Sequence, residues 1–115
     1  MKTSNAVLVK VAKLKLDRWE VPPDQVLAGR PQAFGKLLDG DGRCETGVWE
    51  CTPGSFSWTY DTHQSLCVVS GSAVVRVGKR SLKLEPGSAA FFRAGTQAVW
   101  TVKKTLRKLY TLYSG

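Results

Sequence analysis

Short apolar runs with a two-residue period, separated by glycine and proline, constrain the fold of this chain most strongly. From Gly47 onward such runs recur at intervals of roughly eight to twelve residues, and no stretch of helix length carries a continuous apolar face. This pattern predicts an all-β fold, either a sandwich or a barrel. The predicted strands cover residues 48–51, 55–60, 65–70, 73–77, 81–84, 89–92, 98–103 and 106–113.

The N-terminal part of the chain carries a separate alternation. Apolar residues alternate with polar ones over residues 7–11, and the phase shifts before residues 14–16. A two-residue period interrupted once predicts a strand with a bulge, or two short strands, over residues 7–16.

Proline and glycine interrupt the next segment, residues 22–42, which we predict to be a long irregular connection with one short helical turn near 24–28. A chain of 115 residues has room for one domain. We therefore divide it into an N-terminal arm and connection, residues 1–44, packed on the barrel or on a partner subunit, and a barrel, residues 45–115.

The net charge of +8 comes from 17 Lys and Arg against 9 Asp and Glu, with the basic residues concentrated towards the two ends of the sequence. Such an excess favours anionic partners, but lysines at alternate strand positions are also typical of a solvated sheet face. A basic surface formed by Lys103, Lys104, Arg107 and Lys108, binding nucleic acid or a protein partner, is therefore one alternative function. Nucleic acid is the less favoured partner.

No apolar run approaches the roughly 20 residues that span a bilayer. Lys10, Lys13 and Lys15 interrupt the N-terminal apolar residues, so this stretch lacks the core of a signal peptide. We predict a cytoplasmic protein without a membrane partner. The three cysteines have no metal-finger spacing and are expected to be reduced thiols.

Several short motifs occur in a fixed order after residue 45. The first is G-V-W-E-C-T-P-G-S-F-S-W at residues 47–58, and the last is R-K-L-Y at 107–110. Between them lie V-V-S-G at 68–71, P-G-S at 86–88, F-R-A-G at 92–95 and W-T-V at 100–102. Together they resemble the cupin superfamily, in particular the small single-domain branch related to ureidoglycine aminohydrolase and the ethanolamine-utilisation cupin. The resemblance covers about residues 45–113 and implies a double-stranded β-helix, or jelly-roll, barrel.

Metal-binding cupins hold their ion with two histidines, a glutamate and a third histidine. The resemblance carries these positions onto Trp58, Tyr60, Gln64 and about Ala98, and none of these side chains is a strong metal ligand. The implied barrel therefore lacks the usual metal site, and we predict no metal ligands and no cofactor.

The same alignment implies what lines the barrel interior. Trp58 and Tyr60 share one face of a strand, and with Gln64 and Trp100 they are expected to point inward beside Ala98. We predict that these residues bind a small polar or anionic molecule, and that any catalysis would use Tyr60 and Gln64.

Arg93, in a loop at the barrel mouth, is a further candidate ligand contact, since an arginine can receive an anion with two hydrogen bonds. Two alternatives stay open here. In the first, Trp58 and Trp100 simply fill the core. In the second, the protein is a metal-dependent hydrolase or isomerase similar to ureidoglycine aminohydrolase, with ligands not yet identified.

The resemblance also implies an oligomer. In cupins of this kind an N-terminal strand often pairs with the edge of a neighbouring barrel, which removes an unpaired sheet edge. We therefore predict a homodimer formed through the N-terminal strand.

Overall fold

A computed structural model of the chain describes residues 6–41 and 43–114. In these residues nine strands form one curled sheet, and the only helical segments are 3₁₀ turns at Val11–Lys13 and Pro23–Gln25. The all-β prediction is confirmed. The strands are β1 Asp17–Trp19, β2 Val26–Gly29, β3 Ala33–Gly40, β4 Cys44–Cys51, β5 Gly54–Thr59, β6 His63–Val77, β7 Arg80–Leu84, β8 Ala89–Phe92 and β9 Gln97–Tyr113.

Two long antiparallel strands, β6 and β9, organise the sheet. They pair along nearly their whole length, from His63 opposite Tyr113 to Arg76 opposite Val99. On the outer edge of β6 lie β8 and β7, and on the outer edge of β9 lie β4 and β5. The sheet then continues through β3 and β1 beyond β4, and through β2 beyond β5.

Both long strands bend near their middle. The register between β6 and β9 shifts three times between Val68 and Ala73. Gly71 lies within this bend with φ of +83°, and a Cβ atom there would lie 2.0 Å from the carbonyl oxygen of Thr105. Only glycine permits both this backbone conformation and this close approach of β9. The bend turns the two halves of the sheet towards each other.

Aromatic side chains fill the space between the two halves. Trp49 of β4 and Phe92 of β8 both approach Trp100 of β9, with ring centroids 5.8 and 6.4 Å away. Trp100 is also stacked against Phe56 of β5, at 6.2 Å. Because these rings come from different parts of the sheet, burying them together keeps the sheet curled around a common core. Buried residues of the core also include Tyr60, Leu66, Val68, Val75, Val102 and Leu106.

The N-terminal half of the chain corrects two predictions. The predicted strand over residues 7–16 does not form: that segment contains the 3₁₀ turn Val11–Lys13 and otherwise irregular backbone. The predicted irregular connection over 22–42 instead contains β2 and β3, besides a 3₁₀ turn close to the expected helical one. Residues 1–5, 42 and 115, which the predicted boundaries include, lie outside the described residues.

Both errors arise because a strand needs a neighbouring strand to pair with, and alternation in the sequence does not show whether one is present. β3 is a strand because β4 pairs with it over seven residue pairs, although Gly35 and Asp39 interrupt its apolar alternation. The 7–16 segment also alternates, with one shift of phase, but no strand among the described residues pairs with it, and a side chain holds its backbone instead. Arg107 of β9 donates hydrogen bonds to the carbonyl oxygens of Val11 and Leu14, at 2.7 and 2.9 Å.

The predicted basic surface is also wrong in part. Lys103 and Lys104 are exposed, as expected. Arg107, however, forms an ion pair with Glu50 at 2.8 Å in addition to its bonds to the N-terminal segment, and Lys108 is buried. Two of the four cations are therefore engaged within the fold. No helix among residues 6–41 and 43–114 is long and apolar enough to cross a membrane.

Candidate functional site

A cavity of about 250 Å³ lies inside the barrel. Its walls come from six strands and from the residues that follow β1 and β5, and most of the lining side chains are aromatic or aliphatic. This combination of a mainly apolar wall with a few polar groups is typical of small-molecule sites. The lining residues are Trp19, Glu20, Val21, Ala33, Trp49, Phe56, Trp58, Tyr60, Gln64, Trp100, Lys108, Tyr110 and Leu112.

Lys108 is the central polar group of this cavity. In the β4–β9 ladder it lies directly opposite Trp49, and directly paired residues project to the same face of a sheet. Its side chain therefore enters the barrel, where the residue is only 6% exposed. The sequence-based prediction did not place Lys108 in the interior. A signal was present, since Lys108 alternates in phase with the apolar Leu106 and the aromatic Tyr110 along β9.

The Lys108 ammonium has one hydrogen-bond acceptor and several ring faces around it. Its Nζ donates to Oε1 of Gln64 at 2.7 Å. The centroids of Trp49 and Trp100 lie 4.6 and 4.8 Å from the same atom, and that of Tyr110 lies 5.7 Å away. Such rings attract a cation through their negative faces. No carboxylate in the described part of the chain forms an ion pair with Lys108.

Burial without a counter-charge changes how Lys108 titrates. Desolvation lowers the pKa of Lys108 from 10.5 to about 7, and the neighbouring Cys51 thiol opposes this effect in part. Removal from water penalises the charged form of a lysine, whereas an amide partner compensates less than a carboxylate would. The side chain therefore has both the ammonium and the neutral amine form within reach near neutral pH.

Tyr60 is the second polar group of the interior. Its hydroxyl oxygen accepts a hydrogen bond from Nε1 of Trp100 at 3.1 Å, and its ring stacks on Phe92 at 4.8 Å. Burial raises the pKa of Tyr60, so the phenol keeps its proton at neutral pH. Among the described residues, no hydrogen bond uses that proton, so Tyr60 can donate it to a ligand.

Four of the six sequence-predicted ligand residues meet at the cavity. Tyr60, Gln64 and Trp100 are buried in its wall, and Trp58 lines it with 38% of its surface exposed. Ala98 is buried opposite Trp58 in the β5–β9 ladder but is not part of the wall. Arg93 is exposed, with its guanidinium 5.6 Å from the centre of the Phe91 ring, and also lies outside the wall.

The remaining wall comes from Trp19 at the end of β1 and from the residues that follow it, which the sequence did not suggest. Trp19 lies against the backbone of β3 at Gly35, where an added Cβ would lie 2.1 Å from the indole ring. A larger residue at position 35 would displace this ring. Glu20 and Val21 continue the same wall towards solvent.

The residues at the usual cupin metal positions do not fit a metal ion. Trp58 and Ala98 offer no ligand atom, and the oxygen of Gln64 already accepts a hydrogen bond from a cation, Lys108. Residues 6–41 and 43–114 contain no cluster of three or more His, Cys, Asp or Glu side chains that could hold one. We therefore derive no chemistry through a metal at these positions.

Comparison with known proteins identifies the architecture. A family model described as the EutQ-like cupin domain matches residues 38–110. The Clostridium difficile EutQ protein superposes with a TM-score of 0.78 at 19% identity, covering 93% of this chain and 86% of that one. A DUF861 protein of unknown function from Pseudomonas syringae gives 0.79 at 24% identity, over 87% of this chain and 45% of the other.

The cupin domain of Schizosaccharomyces pombe Cnp3 superposes with a TM-score of 0.72 at 14% identity, covering 95% of this chain and 74% of that one. At these identities the structural matches establish the fold alone, and the predicted jelly-roll barrel is confirmed. No curated protein matches the chain.

Proposed function

The chain belongs to the family of EutQ-like cupin domains, and from the contents of its barrel we propose that it binds a small carboxylate with a flat apolar body. The observation that carries this proposal is the buried Lys108 cation, whose only hydrogen-bond acceptor in the described structure is the neutral amide of Gln64. A charge taken out of water is costly unless an opposite charge and hydrogen bonds compensate it. A ligand carboxylate entering the cavity would provide both.

The aromatic walls support the flat body of this ligand. Trp49, Phe56 and Trp100 contact one another edge-on or stacked, and the first and last of these rings also face the Lys108 ammonium. Trp58 lies at the partly exposed side of the cavity. The volume of about 250 Å³ is below the roughly 300 to 1,000 Å³ of typical drug-sized sites. The proposal is therefore a ligand with a single ring or a short hydrocarbon body, whose carboxylate reaches Lys108.

Binding of an anion at Lys108 is linked to protonation. A carboxylate stabilises the ammonium form, so above the free pKa of about 7 each binding event must also take up a proton. The affinity is expected to be highest below pH 7 and to fall by up to about tenfold per pH unit above it.

Calorimetric titration with benzoate and with its neutral analogue benzamide tests this proposal. We expect benzoate to bind at least tenfold more tightly than benzamide at pH 6, with the preference shrinking towards pH 8.5. Lys108→Met should remove the preference, whereas Lys103→Met, which removes an exposed lysine of the same strand, should leave it intact. Equal affinities for the two compounds at pH 6, or an unchanged preference in Lys108→Met, would contradict the proposal.

The function as proposed needs neither a metal nor a cofactor. This part rests on the poor ligand chemistry at Trp58, Tyr60 and Gln64 and on the cation beside the last of these. Elemental analysis of protein purified without chelators gives the check. Stoichiometric zinc, manganese, iron or nickel would favour the alternative of a metal-dependent hydrolase or isomerase.

Location and assembly are further parts of the proposal. The cytoplasm suits the three unpaired thiols of Cys44, Cys51 and Cys67, since thiols stay reduced there. For assembly we retain the homodimer, with the exposed Val7 and Leu8 of the N-terminal segment as the proposed contact. Sedimentation of a monomer at micromolar concentration would exclude the dimer.

A further inference from the structure

Lys108 has the surroundings of a reactive amine as well as those of an anion site. It faces the cavity from β9, is surrounded by ring faces, and receives no carboxylate from the described residues. We propose that Lys108 is a nucleophilic amine that condenses with small aldehydes or ketones entering the barrel, forming an imine. This inference deepens the proposed function because it assigns covalent chemistry to the same cavity and the same side chain.

The hydrogen bond to Gln64 suits this role. A neutral amine can donate one N–H to Oε1 of Gln64, at the observed 2.7 Å, and keep its lone pair for a ligand. A carboxylate at position 64 would instead hold the lysine in the unreactive ammonium form. Burial supports the amine form further, since it lowers the pKa of Lys108 to about 7. Desolvation in an apolar pocket is an established way to activate a lysine for imine formation.

The step is balanced without an oxidant or reductant. The Nζ lone pair forms a bond to the carbonyl carbon, and the π electrons of the C=O bond move to oxygen. A proton passes from nitrogen to that oxygen, giving a carbinolamine. The hydroxyl group then takes up a second proton and leaves as water, while the nitrogen lone pair forms the C=N bond of an iminium ion. This ion releases its remaining N–H proton, which replaces the proton taken up, so the net products are the imine and one water molecule.

The apolar walls define the class of carbonyl compound. Trp49, Trp58 and Trp100 favour an aromatic or short aliphatic substituent, and the volume of about 250 Å³ restricts it to a small one. Among the lining residues, Tyr60 carries a phenol proton that no hydrogen bond of the described structure uses. This proton is available to the carbonyl oxygen of a bound substrate.

Reductive trapping tests the inference. The protein is incubated with benzaldehyde and sodium cyanoborohydride at pH 7. Peptide mass spectrometry then locates the benzylated residues and distinguishes labelled lysines from a labelled α-amino group. An exposed lysine of ordinary pKa has a roughly thousandfold smaller neutral fraction than a group of pKa 7. We expect Lys108 to be labelled at least tenfold faster than the exposed Lys103 and Lys104 of the same strand.

Two controls keep the test decisive. Lys108→Met should abolish the fast labelling, and Lys103→Met should not affect it. In case Lys108→Met does not fold, wild-type protein in urea provides the second comparison, since unfolding should remove the preference for Lys108. Labelling of Lys108 no faster than that of Lys103 in the native protein would overturn the inference.

Benzoate separates this inference from the proposed function. If benzoate binds through Lys108 but benzaldehyde does not label it, the imine chemistry fails and the binding function stands. If benzaldehyde labels Lys108 and benzoate neither binds nor slows the labelling, the carboxylate site fails and the nucleophile stands.

Discussion

Gln64 accepts a 2.7 Å hydrogen bond from Lys108, although the two residues are offset by four positions along the β6–β9 ladder. The residue paired with Lys108 is Val68, so the two side chains extend towards each other along the barrel wall over roughly 13 Å of strand. Gln64 lies where the resemblance to metal-binding cupins implies a glutamate. Where the resemblance implies a metal cation beside a glutamate, this barrel therefore has a lysine side chain beside a glutamine.

The first prediction concerns stability and pH. The pKa of Lys108 is lowered to about 7 in the folded state and is about 10.5 in the unfolded chain, so between these values the unfolded chain binds more protons. The free energy of unfolding should therefore rise with pH from 7 to 8.5, with this residue contributing up to about 1.4 kcal/mol per pH unit. Urea denaturation at several pH values measures the slope.

The expected rise in unfolding free energy is limited to the range up to pH 8.5, because above this pH other groups facing the interior lower the unfolding free energy. Burial raises the pKa of Cys51, Tyr60 and Tyr110, so these groups favour the folded state less as they begin to ionise in the unfolded chain. Lys108→Met should remove the rise, whereas Lys103→Met should retain it. A slope that Lys108→Met leaves unchanged would show that another group causes it.

A carboxylate beside Lys108 should occupy the site that we assign to the ligand. In Gln64→Glu the new carboxylate raises the pKa of Lys108 and compensates its charge, so benzoate should bind at least about tenfold more weakly. Gln64→Leu, which introduces no charge, should retain benzoate binding. Calorimetry at pH 6.5 distinguishes the two variants, and equal benzoate affinity in both would count against a carboxylate site at Lys108.

Arg107 should hold the N-terminal segment on the barrel. Arg107→Met removes two hydrogen bonds to the carbonyl oxygens of Val11 and Leu14 and leaves Glu50, which is half-buried, without its partner. We expect a loss of about 2 to 4 kcal/mol in unfolding free energy. Amide hydrogen exchange near Leu14 should also become faster. The exposed Arg76 offers a matched change, Arg76→Met, that should stay within about 0.5 kcal/mol.

Gly71 should be essential for the bend of the two long strands. Gly71→Ala places a methyl group 2.0 Å from the Thr105 carbonyl oxygen at a φ of +83°, and should cost more than about 3 kcal/mol. Gly78→Ala has a comparable φ of +60° but open space around the new methyl group, and should cost about 1 kcal/mol. Denaturant unfolding of both variants separates the steric effect from the backbone effect. Similar losses in the two variants would show that the steric effect at Gly71 is negligible.

The three thiols should differ in reactivity. Cys44 and Cys67 are exposed, whereas Cys51 is fully buried and burial raises its pKa to about 12. At pH 8 iodoacetamide should modify Cys51 at least about a hundredfold more slowly than the other two, since the thiolate is the reactive form. In urea all three should react alike. Rapid modification of Cys51 in the folded protein would mean that the barrel opens readily.

The strands after residue 47 were predictable because their evidence is local. Alternation at Trp58 and Tyr60 and the turn residues around Gly87 and Gly95 act within a few positions of the sequence, and they indicate where each chain segment extends and which face is buried. Alternation put Trp58 and Tyr60 on one face, and the resemblance to cupins implied that Tyr60, Gln64 and Trp100 face the interior, where they line the cavity. The resemblance to cupins supplied the register that joined these strands.

Arg93 and Lys108 show that local sequence patterns did not reveal which basic residue lies inside the barrel. Both are basic residues in a stretch of mixed polarity, and the first was expected near the ligand while the second was assigned to a basic surface. In the structure Arg93 is exposed beside Phe91 and lies outside the cavity wall, whereas Lys108 lies opposite Trp49 of β4 and lines the cavity. The β4–β9 pairing joins positions almost sixty residues apart, which no short pattern records.

The sequence by itself determined the class of fold, the family and the polarity of most barrel positions, since period, turn chemistry and short motifs are properties of neighbouring residues. Only the tertiary structure decided that β1 to β3 complete the sheet, that Arg107 fastens the N-terminal segment, and that one lysine is enclosed by aromatic rings beside an amide. The physical reason is that burial and strand pairing are collective. They depend on which distant segments meet, and in this barrel that meeting places a lysine, ordinarily a surface residue, at the polar centre of a cavity.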